Sequence, residues 1–202
     1  MKIGVLALQG SFIEHSQMLE SLGAACVEVR LPAQLDGLDG LILPGGESTT
    51  IGKLAVAYGL MEPLRAFGQN HAIWGTCAGA IFLSRDALRS QPLLGLMDIQ
   101  VERNAFGRQV ASFETDLDVP ELAQVSPDER PFHAVFIRAP LIAAIGPAAW
   151  PLARLEDGRI VAARQGRLLA TSFHPELTRD DRFHRYFLAM AQEREVEWVR
   201  AG

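Results

Sequence analysis

Residue types able to do covalent chemistry gather in one short stretch, Gly75-Thr76-Cys77-Ala78-Gly79, set between Ala72-Ile73-Trp74 and Ala80-Ile81-Phe82-Leu83. The pattern predicts a buried strand, a sharp turn, and a helix that starts at the cysteine. Gly-x-Cys-x-Gly is the thiol counterpart of the Gly-x-Ser-x-Gly nucleophile elbow. Its glycines have a steric purpose. A strand reversing tightly into a helix leaves no room for flanking Cβ atoms and drives the central residue into a strained conformation. A cysteine there faces the free N–H groups and dipole of the helix start, a setting that favours thiolate over thiol.

A thiol nucleophile needs a base, and the base needs a group to orient it. Of the five histidines, His174 stands out because Thr171-Ser172-Phe173-His174-Pro175-Glu176 follows a strongly apolar strand. Pro175 disfavours a helical backbone at His174, and in extended chain residues two apart face the same side. The Glu176 carboxylate can then hold one ring nitrogen of His174 and leave the other for Cys77. His15, His71, His133 and His184 are expected to be non-catalytic. His15 is the least clear of these, because it lies on the carboxyl-end side of the sheet.

Attack on a carbonyl also calls for donors to the developing oxyanion. The N–H of Ala78 follows the nucleophile, and a second donor is expected from the Gly45-Gly46 turn, where no side chain blocks close approach. That turn is not a phosphate-binding loop. Five residues, not four, separate Gly46 from Gly52, and Leu54 stands where a magnesium-binding Ser or Thr would be needed.

The elements that must position these groups alternate in the first half. Lys2 to Leu8, Ala25 to Arg30, Leu38 to Leu43 and Ala72 onward read as strands; near-continuous apolar runs of this kind suit a parallel sheet buried on both faces. Helices are expected between them, the first opening at Ser11 with capping-box spacing to Glu14, the fourth running from the cysteine to about Arg85. The expectation is an α/β fold: an open, mostly parallel central sheet with helices on both faces, flavodoxin-like, with a β-rich second half. Ligands bind beyond the carboxyl ends of such strands, so the turns at Gly45-Gly46 and Gly75 to Gly79 should share one crevice. From Gly95 onward, short strands are expected at Ile99 to Glu102, Gln109 to Glu114, Ala134 to Ile137, Ile160 to Arg164 and Leu168 to Phe173. Asp157-Gly158 should turn a hairpin, and Arg182 to Arg194 should form a closing helix.

Composition sets bounds. Residues 1–202 suit a single domain. A net charge of −5 gives no polybasic footprint for nucleic acid or anionic membrane. No apolar run approaches the roughly 20 residues that span a bilayer. Two cysteines, Cys26 and Cys77, form neither a disulfide framework nor a metal-ligand spacing, so the setting expected is a reducing cytoplasm with no metal or cofactor. Cys26, inside a strand, reads as core packing.

The elbow together with His174-Pro175-Glu176 resembles the class I, triad-type glutamine amidotransferases. Further blocks narrow the likeness to the glutaminase subunits of pyridoxal 5′-phosphate synthases. These are Leu8-Gln9-Gly10, Leu43-Pro44-Gly45-Gly46-Glu47-Ser48-Thr49-Thr50, Val101-Glu102-Arg103-Asn104, Phe106-Gly107-Arg108-Gln109, Phe136-Ile137-Arg138-Ala139-Pro140 and Ser172 to Thr178. The resemblance implies a single glutaminase domain in which Cys77 attacks the side-chain amide of L-glutamine, His174 transfers protons and Glu176 orients His174. It also implies a glutamine pocket of Gly46, Glu47, Ser48, Arg103, Ile137 and Arg138. Arginine suits the substrate's α-carboxylate and Glu47 its ammonium, though either arginine could do the pairing. The implied partner is a separate barrel-shaped synthase subunit that receives the ammonia. The alternatives are the glutaminase subunit of another amidotransferase, such as that of imidazole glycerol phosphate synthase, a non-catalytic regulatory subunit on the same fold, or a thiol hydrolase or chaperone-like protein of similar elbow architecture.

Overall fold

The computed structural model describes residues 1–103 and 112–193. In chain order the strands are β1 (Lys2–Leu6), β2 (Ala25–Val29), β3 (Gly40–Leu43), β4 (Ala72–Thr76), β5 (Ser84–Asp86), β6 (Met97–Glu102), β7 (Ser112–Leu117), β8 (Phe132–Ile137), β9 (Leu141–Ile145), β10 (Trp150–Arg154), β11 (Ile160–Gln165) and β12 (Leu168–Thr171). The helices are α1 (Phe12–Ser21), α2 (Ser48–Ala57), α3 (Met61–Asn70), α4 (Ala78–Leu83) and α5 (Arg182–Gln192).

One large sheet runs β2-β1-β3-β4-β12-β11-β9-β6-β5, with β10 paired to β11 off this path. Its first five strands are all parallel. Alternation along them splits the core in two. Leu41, Leu43 and Ile73 face α2, α3 and α4 through Ile51, Phe67 and Phe82. Ile42 and Trp74 face α1 and α5 through Leu19, Phe183 and Phe187. This period-2 division, with both faces covered, makes the expected open α/β sheet with helices on each side. β7 and β8 form a separate antiparallel pair that leans on the second core through Phe132 and Phe136.

Three local expectations need correction. α4 ends at Leu83, and Arg85 lies in β5 instead. β9 falls in a segment with no strand expected, yet it bridges β6 and β11 in the main sheet. The capping box at Ser11 does not form; its side chain makes no cap hydrogen bond and turns elsewhere. The Asp157-Gly158 hairpin joins β10 to β11 as expected. The block Phe106 to Gln109, Asn104, and the start of the strand expected from Gln109 lie outside the described residues.

The elbow is set by backbone packing. A Cβ on Gly79 would lie 1.8 Å from the Leu43 carbonyl oxygen, and one on Gly75 would lie 2.5 Å from the Gly79 carbonyl oxygen. No side chain can relieve either contact, because the obstacles are backbone atoms of β3 and α4. Gly79→Ala is therefore expected to destabilise the protein by on the order of 3 kcal/mol. The check is its urea unfolding midpoint against the wild type. An unchanged midpoint would show that β3 and α4 can separate freely.

Candidate active site

Cys77 sits between β4 and α4 with φ 47° and ψ −106°, a positive φ uncommon for a residue with a side chain. Such backbone costs on the order of 1–3 kcal/mol and persists only where the surroundings enforce it. They do so here: the Cys77 N–H donates to the Thr171 carbonyl at 2.8 Å, fastening the elbow to the end of β12, while Gly75 and Gly79 admit the close turn.

Three residues past β12 the chain reaches His174. Its N–H donates to the Val135 carbonyl at 2.8 Å, so β8 helps hold the backbone of His174. Beyond it, Pro175–Leu177 is a tight 3₁₀ turn and not the extended segment expected. Proline is at home at the first position of a helical turn, where its missing N–H has no partner to lose. The outcome for the side chains is the one anticipated. His174 Nδ1 lies 2.8 Å from Glu176 Oε1, and Cys77 is the hydrogen-bonding neighbour that remains for the other ring nitrogen.

The crevice above these groups is a cavity of about 290 Å³. It is lined by Gly46, Glu47, Ser48, Arg103, Ile137 and Arg138, every residue expected in the glutamine pocket, together with Cys77, Ala78 and His174. Gly45 stands beside them. A Cβ there would come 2.5 Å from His174 Cε1 and 3.4 Å from Cys77 Cβ. The two glycine turns thus meet, as the carboxyl ends of adjacent β3 and β4 require. Arg138 also has positive φ, at 46°, a second strained residue in the same cavity.

Glu47 was expected to address the ammonium of an amino acid, and either Arg103 or Arg138 its carboxylate. The structure pairs Glu47 with Arg103 at 2.8 Å. Glu47 also caps α2, accepting from Thr50 N–H at 2.8 Å and from the Thr50 hydroxyl at 2.8 Å. Burial pushes its carboxyl up, but the bonds from Thr50 and Thr49 and the Arg103 charge outweigh this and bring it down to about 2. Among the described residues, no group of three or more His, Cys, Asp or Glu side chains is arranged to hold a metal ion, and no helix is long and apolar enough to cross a membrane.

Sequence reasoning missed the groups that pack beneath and beside Cys77, His174 and Glu176. The Ser11 hydroxyl donates to Glu176 Oε1 at 2.7 Å. His15, fully buried, places Nε2 3.4 Å from Glu176 Oε2 and 3.2 Å from Thr76 Oγ1. His184, also fully buried, places Nε2 3.0 Å from His15 Nδ1. Gln9 accepts the Glu47 N–H at 2.7 Å and so clamps the Gly45-Gly46 turn. The sequence signal for His15 was its place on the carboxyl-end side of the sheet, and for His184 its place on the closing helix beside Phe183 and Phe187. His71, in contrast, stacks on Phe67 away from the site, and His133 is exposed between Asp116 and Glu114. Cys26 is half-buried in β2 and free.

A family model for the SNO glutamine amidotransferase family matches residues 5–193, and the chain belongs to that family. Among curated relatives, pyridoxal 5′-phosphate synthase subunit PdxT of Herpetosiphon aurantiacus is 60% identical over 195 residues, covering 94% of this chain and 100% of that one. The PdxT proteins of Moorella thermoacetica and Deinococcus radiodurans are each 58% identical, covering 94% and 96% of this chain and 99% of each of those two. A crystal structure of a glutamine amidotransferase superposes with a TM-score of 0.87 at 52% identity, covering 94% of this chain and 98% of that one. The structure of PurLQS from Thermotoga maritima shares the fold at 16% identity, with a TM-score of 0.68 over 94% of this chain and 96% of that one.

The electrostatics of the site follow from burial opposed by close partners. Burial acts to lower His174, but hydrogen bonds and charge from Cys77 and Glu176 prevail and lift it to about 10. Burial acts to raise Glu176, but His15, His174 and Ser11 prevail and bring it down from 4.5 to about 2. A carboxyl depressed on folding stabilises the protein above its unfolded value and loses that contribution as pH falls through its folded value. Wild-type stability should therefore fall between about pH 4.5 and pH 2. Glu176→Gln should flatten that limb of the curve of denaturant midpoint against pH. An identical acid limb in the variant would mean that Glu176 is not held as an anion by these partners.

Proposed function

We propose that this chain hydrolyses L-glutamine to L-glutamate and ammonia, and that it supplies the ammonia to the synthase subunit of a pyridoxal 5′-phosphate synthase. The observation that carries this reading is the line Cys77, His174, Glu176, the first two lining the cavity and Glu176 buried behind His174, in a chain of the glutamine amidotransferase family. The high identity to PdxT proteins over nearly the full chain supports the particular synthase.

Cys77 Sγ attacks the side-chain amide carbon while the proton of the thiol resides on His174. The tetrahedral oxyanion takes hydrogen bonds from the Ala78 N–H and from the Gly45-Gly46 turn. His174 then protonates the nitrogen, the C–N bond breaks, and ammonia leaves a thioester on Cys77. Water, deprotonated by His174, attacks that thioester through a second oxyanion and releases glutamate. Glu176 keeps Nδ1 of His174 occupied, so that the nitrogen facing Cys77 is the one that exchanges protons. The Glu47–Arg103 pair gives the cavity mouth one charge of each sign, which suits the zwitterionic end of an amino acid; Arg138 adds a second cation for the α-carboxylate.

Free ammonia would protonate in bulk water, so a receiver docked at the cavity gives the reaction its purpose. The turn residues Gln9, Gly10, Gly45 and Gly46 lie where such docking would be felt, since Gln9 holds the turn through Glu47. A reducing cytoplasm suits the free Cys77 thiol.

Glutamate release, measured with the synthase subunit present, tests the mechanism. Cys77→Ala should abolish it, and His174→Asn should lower it at least about a thousandfold. Glu176→Gln should cost less than His174→Asn, by a factor of about 100. Activity surviving in Cys77→Ala would overturn the mechanism. Release by the wild type should rise when the synthase subunit is added; equal rates with and without it would refute gating by the partner.

A further inference from the structure

We propose that His15 is a positioning residue for the triad carboxylate, held in one neutral tautomer by His184 so that its Nε2–H, and not a lone pair, faces Glu176 Oε2 and Thr76 Oγ1. This inference rests on the glutaminase reading above. The line of buried groups continues past Glu176 as His15 and then His184, with spacings of 3.4 Å and 3.0 Å. None of the three is open to solvent, so each must find its partner within the protein.

Charge and hydrogen count together favour one arrangement. Glu176 Oε1 already receives the Ser11 hydroxyl and His174 Nδ1. Glu176 Oε2 is fully buried and has no well-aligned hydrogen bond among the described residues; His15 Nε2 at 3.4 Å is the group facing it. An anionic oxygen left bare in the interior is costly. If His15 carried its proton on Nδ1, the Nε2 lone pair would face that oxygen and repel it. With the proton on Nε2, the N–H lies between Glu176 Oε2 and Thr76 Oγ1, and Nδ1 accepts from His184 Nε2–H. His184 Nδ1 is then an unprotonated nitrogen with no hydrogen-bond partner among the described residues.

A purely structural role accounts for this poorly. Trp74 packs edge-on against both rings, and an apolar side chain would fill the space without the cost of burying two imidazoles. What an apolar side chain could not do is link Thr76, the residue before the nucleophile, to the carboxylate that orients the base. His15 touches neither substrate nor the reacting sulfur, so its effect passes through Glu176 to His174.

The test compares steady-state glutamate release, in the complex with the synthase subunit, for wild type, His15→Phe and His15→Gln, with thermal melting of each. His15→Phe should lower kcat by about 10- to 100-fold and leave KM within about twofold. His15→Gln, whose terminal amide can reach Glu176, should recover most of kcat. Should His15→Phe fail to fold, His15→Asn takes its place, since its shorter amide stops short of Glu176 and should show the same loss. Wild-type kcat in the Phe or Asn variant overturns the proposal. So does an equal loss in His15→Gln when that variant melts like wild type, because a donor returned toward Glu176 in an intact fold would then have restored nothing. No glutamate release by the wild-type complex would instead overturn the glutaminase reading, and this inference with it.

Discussion

The carboxylate of Glu176 is a negative charge almost out of reach of water, and the site is built around satisfying it. Such a charge is tolerated only where donors converge on it. They come from two separate parts of the chain: Ser11 at the entry to α1 with His15 one turn later, and His174 two residues before Glu176. Meeting that demand draws α1 onto the turn after β12. The same demand keeps His174 charged far above the ordinary histidine range, because the anion behind it and Cys77 in front of it both favour the imidazolium.

The sheet explains why these parts can meet. β1, β3, β4 and β12 lie side by side and parallel, so their carboxyl ends open on one edge. Gln9 follows β1, Gly45 and Gly46 follow β3, Cys77 follows β4, and His174 follows β12. Each of the four is within a few residues of its strand end, where the rigid ladder limits how far a loop can wander. Backbone contacts at Gly10, Gly75 and Gly79 then bring the loops closer than any residue with a Cβ would allow. Strain at Cys77 and Arg138 persists because this packing leaves no relaxed alternative.

Legibility differed between residues for physical reasons. Cys77, Gly75 and Gly79 were readable because the elbow is a local motif whose steric needs appear within five residues. His174 and Glu176 were readable because they are two apart, although the turn that joins them is 3₁₀ and not extended. β9 was not readable: Leu141 to Ile145 has no clean alternation, and its place in the sheet comes from pairing with β6 and β11, distant in the chain. Ser11 was misread as a helix cap because its spacing to Glu14 fits a capping box. A carboxylate 165 residues later offers it a stronger partner.

Sequence alone determined the candidate residues Cys77, His174 and Glu176, the parallel α/β framework and the crevice where they had to meet, since each depends on short-range pattern and on the fixed geometry of strand ends. Tertiary structure alone decided what surrounds them. It paired Glu47 with Arg103, turned Ser11 onto Glu176, and buried His15 and His184 in line behind the triad. Those outcomes depend on which side chains face one another across 50 to 170 residues of chain. The energetics of a buried polar group are settled by its neighbours in space, and no local pattern names them.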